Sequence, residues 1–236
     1  MTNINNKISV SQLAGYIDHT LLNPTATKDG IERLCHEAIE YGFHTVCINT
    51  RWIPLVAEIL HDTQIKIDGV VSFPLGADST KIKVAQAKEA IFAGADEIDM
   101  VADLASIIEG DAKYLARQLY EVNKVCHSMK PPVLLKVIIE SAALNDEQII
   151  FACRIAQEVG VDFIKTSTGL NAAGGATVEA VRLMKESAPK CKIKAAGGIK
   201  TAKVAIAMLE AGADRIGSSA AIKIIEEFKA MQEQNG

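Results

Sequence analysis

Paired cysteines, a surplus of positive charge and long apolar runs are all missing from this 236-residue chain. Its five cysteines, at 35, 47, 126, 153 and 191, are odd in number, widely scattered and form no CxxC pair. That argues against a disulfide framework and a zinc site, and it fits reduced thiols in the cytoplasm. Lys and Arg total 25 against 29 Asp and Glu, a formal net charge of −4. With no basic surplus to neutralise a phosphate backbone, nucleic acid is not expected as a partner. No run reaches the roughly 18 consecutive apolar residues of a membrane-spanning helix. The first ten residues, MTNINNKISV, lack the apolar stretch of a signal peptide, so a cytoplasmic location is expected.

What is present is apolar enough to fold. Hydrophobic residues make up 49% and charged residues 23%, which excludes disorder. No Pro/Ser-rich linker, charge block or low-complexity tract divides the chain, so residues 1–236 are expected to form one domain. The length suits an α/β barrel, which takes about 250 residues as a single unit.

A weak repeat supports that architecture. Four times a helix-like stretch ends in Gly and leads into a short β-rich run: YGFHTVCIN (41–49), AGADEIDMV (93–101), VGVDFIKTS (159–167) and AGADRIGSS (211–219). Gly suits the end of each helix because it enters the left-handed conformation without strain. Gly42 and Gly94 are 52 residues apart, as are Gly160 and Gly212, and the middle step is 66. Such spacings match pairs of βα units of about 30 residues each. Strands are expected near 16–19, 43–48, 66–72, 96–101, 133–139, 163–166, 191–195 and 214–217. Amphipathic helices fall between them at 80–93, 111–127, 145–159, 176–188 and 201–211. Asn145 followed by Gln148 reads as a capping box. Runs such as VLLKVII (133–139) are apolar nearly throughout, as strands covered by helices should be. Eight strands alternating with helices predict a single (β/α)8 TIM barrel. A doubly wound open sheet is the alternative, but no GxGxxG follows the first strand.

Three lysines stand inside or at the ends of apolar strands: Lys136, Lys165 and Lys194, spaced by 29 residues in both steps. Neighbouring barrel strands lie about 4.8 Å apart, so inward-pointing side chains at matching places would crowd together. A single such lysine most often snorkels outward. Three in register would meet both desolvation and like-charge penalties. The penalty has a use, since the neutral amine it favours is what attacks a carbonyl to form a Schiff base. Lys165, at a strand's C-terminal end and flanked by the other two, is the candidate nucleophile. Asp99 ends an apolar strand on the same face; it either balances charge or moves protons through water. Asp18 ends the first strand, with His19 beside it as a base or a structural hydrogen-bonding group. Cys47 reads as inert filler. No HxxxH, HExxH or compact His/Cys/Asp cluster occurs, so no metal is expected.

Small-residue loops follow the last three strands: TSTG (166–169), AAGGIK (195–200) and GSSA (217–220). Gly lets backbone amides approach an anion, and barrels of this kind build phosphate sites after strands seven and eight. Ser218 and Ser219 add donors. The composite is a small phosphorylated substrate facing a Schiff-base lysine.

DHTLL (18–22), VVSFPLGA (70–77), GADEIDMV (94–101), LLKVIIE (134–140), DFIKTSTG (162–169), IKAAGGIKT (193–201) and RIGSSA (215–220) together resemble the deoxyribose-phosphate aldolase family, over residues 18 to 220. The resemblance implies a class I aldolase on a (β/α)8 barrel, with no metal or organic cofactor. Its reaction would be the reversible cleavage of 2-deoxy-D-ribose 5-phosphate to D-glyceraldehyde 3-phosphate and acetaldehyde, in deoxynucleoside catabolism. Lys165 would form the Schiff base, Lys194 would tune it, and Asp99 with Lys194 would shuttle protons. Asp18, Cys47 and Lys136 would line the pocket around the sugar hydroxyls. Gly169, Gly197, Gly198, Gly217, Ser218 and Ser219 would hold the phosphate.

The chain departs from the family pattern in places. Ser72 stands where Gly is expected, Asp103 where many relatives carry Asn, and Ala196 where Ser is commoner. Leu170 follows STG in place of a basic residue, and the last residues, FKAMQEQNG, contain no Tyr. Two other readings compete. A class I aldolase with another phosphorylated donor would use pyruvate or dihydroxyacetone phosphate and not acetaldehyde. A sugar-phosphate sensor would bind without turnover, but it has no need of a lysine beside a carboxylate. A homo-oligomer, dimer or tetramer, is the default assembly.

Overall fold

The computed structural model describes residues 8–234. The stretch read above for a targeting signal lies, through residue 7, outside the described residues. The strands are β1 (Ile17–Leu21), β2 (Thr45–Ile48), β3 (Lys66–Val71), β4 (Glu97–Val101), β5 (Leu134–Ile138), β6 (Phe163–Lys165), β7 (Lys192–Ala196) and β8 (Arg215–Ser218). They fall where the sequence placed them. All neighbours pair in parallel in chain order, and β8 returns to β1, which closes the barrel and rules out the open sheet.

The helices are α1 (Val10–Ala14), α2 (Lys28–Tyr41), α3 (Ile53–Leu60), α4 (Thr80–Phe92), α5 (Leu104–Glu109), α6 (Ala112–His127), α7 (Asp146–Val159), α8 (Val178–Ser187), α9 (Ala202–Glu210) and α10 (Ala221–Glu233). Their ends follow the local chemistry. Asn145 and Gln148 form the expected capping box on α7. Gly42 and Gly160 close α2 and α7 in the left-handed conformation. Gly94 and Gly212 do their turning one residue later, past alanines at the C-caps of α4 and α9.

The period of two along each strand sorts the barrel into two environments. In β4, Ile98 and Met100 belong to the apolar core that the strands share with the helices, together with Leu135 and Val137 of β5 and Ile193 and Ala195 of β7. The residues that alternate with them, Glu97, Asp99, Lys136 and Lys194, are charged, buried and paired with one another inside the barrel. Burying one such Ile or Leu is worth about 1.5–3 kcal/mol. The apolar layer between strands and helices therefore drives folding, and the lumen is left for charge.

Candidate active site

Three strands contribute four acids to the lumen, and four strands contribute one base each. Asp18 (β1), Asp68 (β3), Glu97 and Asp99 (β4) face Lys136 (β5), Lys165 (β6), Lys194 (β7) and Arg215 (β8). Lys194 Nζ meets Asp18 Oδ2 at 2.5 Å, Asp99 Oδ2 at 2.7 Å and Asp68 Oδ2 at 2.8 Å. Lys136 Nζ meets Glu97 Oε2 at 2.8 Å, Asp99 Oδ1 at 2.9 Å and Asp68 Oδ2 at 3.0 Å. Arg215 reaches Asp18 at 2.8 Å and Glu97 at 3.2 Å, and Thr45 donates its hydroxyl proton to Asp18. Lys165 Nζ lies 2.6 Å from Asp99 Oδ2, the same oxygen that Lys194 holds.

Two expectations are corrected here. Equal spacing of the three lysines does not put them at one level. Lys165 is opposite Lys194, but Lys136 is opposite Phe163 and so lies two residues deeper than Lys165. Strand stagger, which closure of a barrel requires, breaks the correspondence. Nor do the cations crowd one another unopposed, because a carboxylate stands between each pair. The lysines are matched rather than repelled.

The matching fixes the charge states. Burial would raise the Asp99 carboxyl, but Lys136, Lys165 and Lys194 together hold it well below the usual range. Burial would likewise deprotonate Lys194, yet Asp18, Asp68 and Asp99 push it well above the ordinary lysine value. Lys136 and Arg215 are raised by the same balance, and Asp18 and Glu97 are lowered by their cations against burial. Asp68 runs the other way: burial, and then the neighbouring Asp99 charge, raise it.

Above this cluster opens a cavity of about 540 Å³ at the C-terminal ends of the strands. Its wall includes Lys165, Gly169, Gly197, Gly198, Gly217, Ser218 and Ser219, all singled out from the sequence, and also Leu170 and Lys200, with Thr20 to Pro24 on the far side. Asp18, Cys47 and Lys136 have no exposed surface and lie among the buried charges rather than at the wall. Cys47 Sγ is 3.9 Å from Asp99 Oδ2. Burial, and then Asp68, raise its thiol far above the ordinary value, so it stays protonated.

The loops are held close together. Gly169, at φ 80°, and Gly197, at φ 90°, approach so nearly that a Cβ on Gly169 would stand 3.4 Å from the Gly197 Cα. A Cβ on Gly217 would meet Ala196 Cβ at 3.0 Å and Lys194 Cε at 3.2 Å, so glycine there leaves room for the lysine chain. Ser218 spends its hydroxyl proton on the Ile199 carbonyl at 2.7 Å and accepts from the Ala220 N–H. His19 is bonded to Glu37 of α2 at 2.7 Å, as a structural hydrogen-bonding group would be.

Sequence reading passed over Asp68, Glu97, Arg215 and Lys200. The criterion that found the lysines, a charge inside an apolar strand, also marks KIDGVV, DEIDMV and DRIGSS. Two sets of ligand-type groups, Cys47 with Asp68 and Asp99, and Asp18 with Asp68 and Glu97, come close enough to hold an ion. The ammonium groups of Lys136 and Lys194 already occupy the space between those oxygens, so a divalent cation would enter against like charge.

Among the departures, Asp103 caps α5 by accepting the Ser106 N–H at 2.8 Å. Ser72 sits at φ 52°. No helix of the described residues is long and apolar enough to cross a membrane.

A family model described as DeoC/LacD family aldolase matches residues 13–226. A deoxyribose-phosphate aldolase of Thermococcus gammatolerans is 49% identical over 217 residues, covering 91% of this chain and 95% of the relative. One from Aciduliprofundum boonei is 50% identical over 219 residues, covering 92% and 97%. Among solved structures, the tetrameric deoxyribose phosphate aldolase of Aeropyrum pernix superposes with a TM-score of 0.88 at 30% identity, over 94% of this chain and 93% of that one. An aldolase called QR15 gives 0.87 at 39%, over 95% and 99%. A closed parallel barrel, a cavity-facing lysine on a shared carboxylate and these matches agree: the chain belongs to the DeoC/LacD family of aldolases.

Proposed function

We propose that this chain is a class I deoxyribose-phosphate aldolase. It reversibly cleaves 2-deoxy-D-ribose 5-phosphate into D-glyceraldehyde 3-phosphate and acetaldehyde, without metal or organic cofactor. One observation carries the reading: of the lysines that touch Asp99, Lys165 is the one that also lines the cavity. Lys194 remains an ammonium behind it, so Lys165 is the amine placed to meet a carbonyl.

In the synthetic direction Lys165 Nζ adds to the acetaldehyde carbonyl, and the carbinolamine loses water to give an iminium ion. Loss of a methyl proton makes the enamine, which forms the carbon–carbon bond to the aldehyde carbon of the phosphorylated acceptor. Water then releases the product and restores the amine. Splitting one carbanion step into these stages is what covalent catalysis achieves. Once Lys165 is an imine it loosens its hold on Asp99 Oδ2, and that oxygen becomes available to relay protons, with Lys194 supplying the opposing charge. Asp18 and Lys136 act from below by fixing the charge of Lys194 and Asp99, and Cys47 fills the space beside them.

At the other end, Gly169, Gly197, Gly198, Gly217 and Ser219 present backbone and hydroxyl donors to the phosphate. Ser218 holds the loop to Ile199. The start of α10 carries no side-chain cap, which suits an anion at its N-terminus. Lys200, exposed at the wall, supplies the cation that Leu170 does not. The whole chain, 1–236, is taken as one catalytic domain, working in the cytoplasm, where its five buried free thiols persist. A homo-oligomer, dimer or tetramer, is the expected assembly, since the A. pernix relative is described as tetrameric. The test is cleavage of 2-deoxyribose 5-phosphate followed by acetaldehyde release. Turnover by the wild type and none by Lys165→Ala is expected; substrate binding without turnover would leave a sensor instead.

A further inference from the structure

Glu140 stands outside the machinery described so far, yet its environment is unusual. It follows β5, is 1% exposed, and holds φ 55° and ψ 54°. That left-handed conformation comes readily to Gly and at a cost to Glu. Among the described residues only Ser72 shares it without being Gly. The residues on either side keep Glu140 in place by extending the β5–β6 ladder: Ile139 N–H donates to the Lys165 carbonyl at 3.1 Å and Ser141 N–H to the Thr166 carbonyl at 2.7 Å.

The reversal between those two bonds turns the Glu140 side chain toward the loop after β6. There its carboxylate takes both donors of one residue, the Thr168 N–H at 3.1 Å and the Thr168 hydroxyl at 2.7 Å. The Thr168 oxygen in turn accepts the Leu170 N–H at 3.1 Å. Two of three successive N–H groups are thereby engaged, and Gly169 sits between them at the cavity wall. Burial raises the Glu140 carboxyl, and the two Thr168 bonds and Lys165 work against that.

We propose that Glu140 is a positioning residue for the phosphate end of the substrate: its carboxylate clamps Thr168, and the clamp sets Gly169 relative to Lys165. This rests on the proposed sugar-phosphate reading of the cavity. Lys165 ends β6 and Gly169 lies four residues on in the loop that follows, so both ends of one substrate are gauged by that stretch. Strain stored at such a residue is commonly found where a geometry is over-determined for function. Glu140 acts through Thr168 and does not itself line the cavity.

The test compares 2-deoxyribose 5-phosphate with unphosphorylated 2-deoxyribose in three variants. Glu140→Gly removes the clamp while relieving the left-handed strain, so it remains folded. Thr168→Val removes the hydroxyl that Glu140 accepts, and the double variant combines them. Each is expected to raise KM for the phosphorylated sugar by about tenfold or more while kcat changes less than about threefold. For 2-deoxyribose, kcat/KM stays within about twofold, and the double variant is no worse than the single ones, as for groups acting as one unit. Glu140→Gln, which keeps one acceptor, falls between wild type and Glu140→Gly. An unchanged KM for the phosphorylated sugar in Glu140→Gly would overturn the proposal, as would equal losses on both sugars. Wild-type enzyme inactive on both sugars would instead overturn the substrate reading and this proposal with it.

Discussion

Lys194 reaches Asp99 Oδ2 at 2.7 Å from a strand three places around the barrel. That contact separates the two lysines on this oxygen, Lys165 and Lys194, by what their removal leaves behind. Without Lys165, Asp99 still has Lys136 and Lys194, so Lys165→Ala is expected to abolish turnover while stability changes by less than about 1 kcal/mol. Without Lys194, Asp18 Oδ2 loses its ammonium partner and Asp68 and Asp99 each lose one. Stranding buried charge costs about 3–5 kcal/mol, so Lys194→Met is expected to lose both activity and that much stability. Urea denaturation of the two variants measures the contrast.

Acid should unfold the protein through the lumen. Asp18, Glu97 and Asp99 have folded values below their unfolded ones. Their contribution is therefore complete above about pH 4 and is lost as pH falls below it. Asp68 and Glu140, both raised by burial, have the opposite sign and contribute less at neutral pH. A stability profile from pH 7 to 2 should fall steeply only below the ordinary carboxylate range. Loss centred near pH 6 would contradict the charge assignments.

Lys83 gives a second pH effect, outside the barrel and at alkaline pH. It is fully buried on α4, donating to the Val101 carbonyl at 2.7 Å and to Gln118 at 2.9 Å, and burial lowers its value to about 8. Between about pH 8 and the ordinary lysine value the unfolded chain binds a proton that the folded one does not, so this group adds stability as pH rises through that window. Lys83→Met should flatten the slope there, read from denaturation midpoints at pH 7.5, 8.5 and 9.5 (~ one unit apart).

Ser72 is strained without evident return. Its φ is 52° and its buried hydroxyl has no hydrogen-bond partner, while its N–H donates to Gln86 at 2.6 Å. Ser72→Gly keeps the backbone bond and relieves the rest. It is expected to stabilise by about 0.5–1 kcal/mol, measured as a raised denaturation midpoint with unchanged slope.

The parts of this molecule that were legible in the sequence are those fixed by local chemistry. Glycines after helices, the Asn145–Gln148 box and nearly unbroken apolar runs located every strand, because each reports its own segment. Lys165 and the glycines around it were legible because charge in an apolar strand and Gly in a loop both carry a cost. What escaped depends on how strands stagger around the barrel. The pairing of Lys136 with Asp99, and the roles of Asp68, Glu97 and Arg215, follow from register between segments up to 197 residues apart. The bond from Thr168 to Glu140 escaped for the same reason, since nothing near either residue in the chain announces the other.

The most direct test of the account is borohydride trapping with acetaldehyde, followed by peptide mapping. An ethyl group on Lys165, and none in Lys165→Ala, is expected. Absence of an adduct, or one confined to surface lysines, would contradict the Schiff-base mechanism.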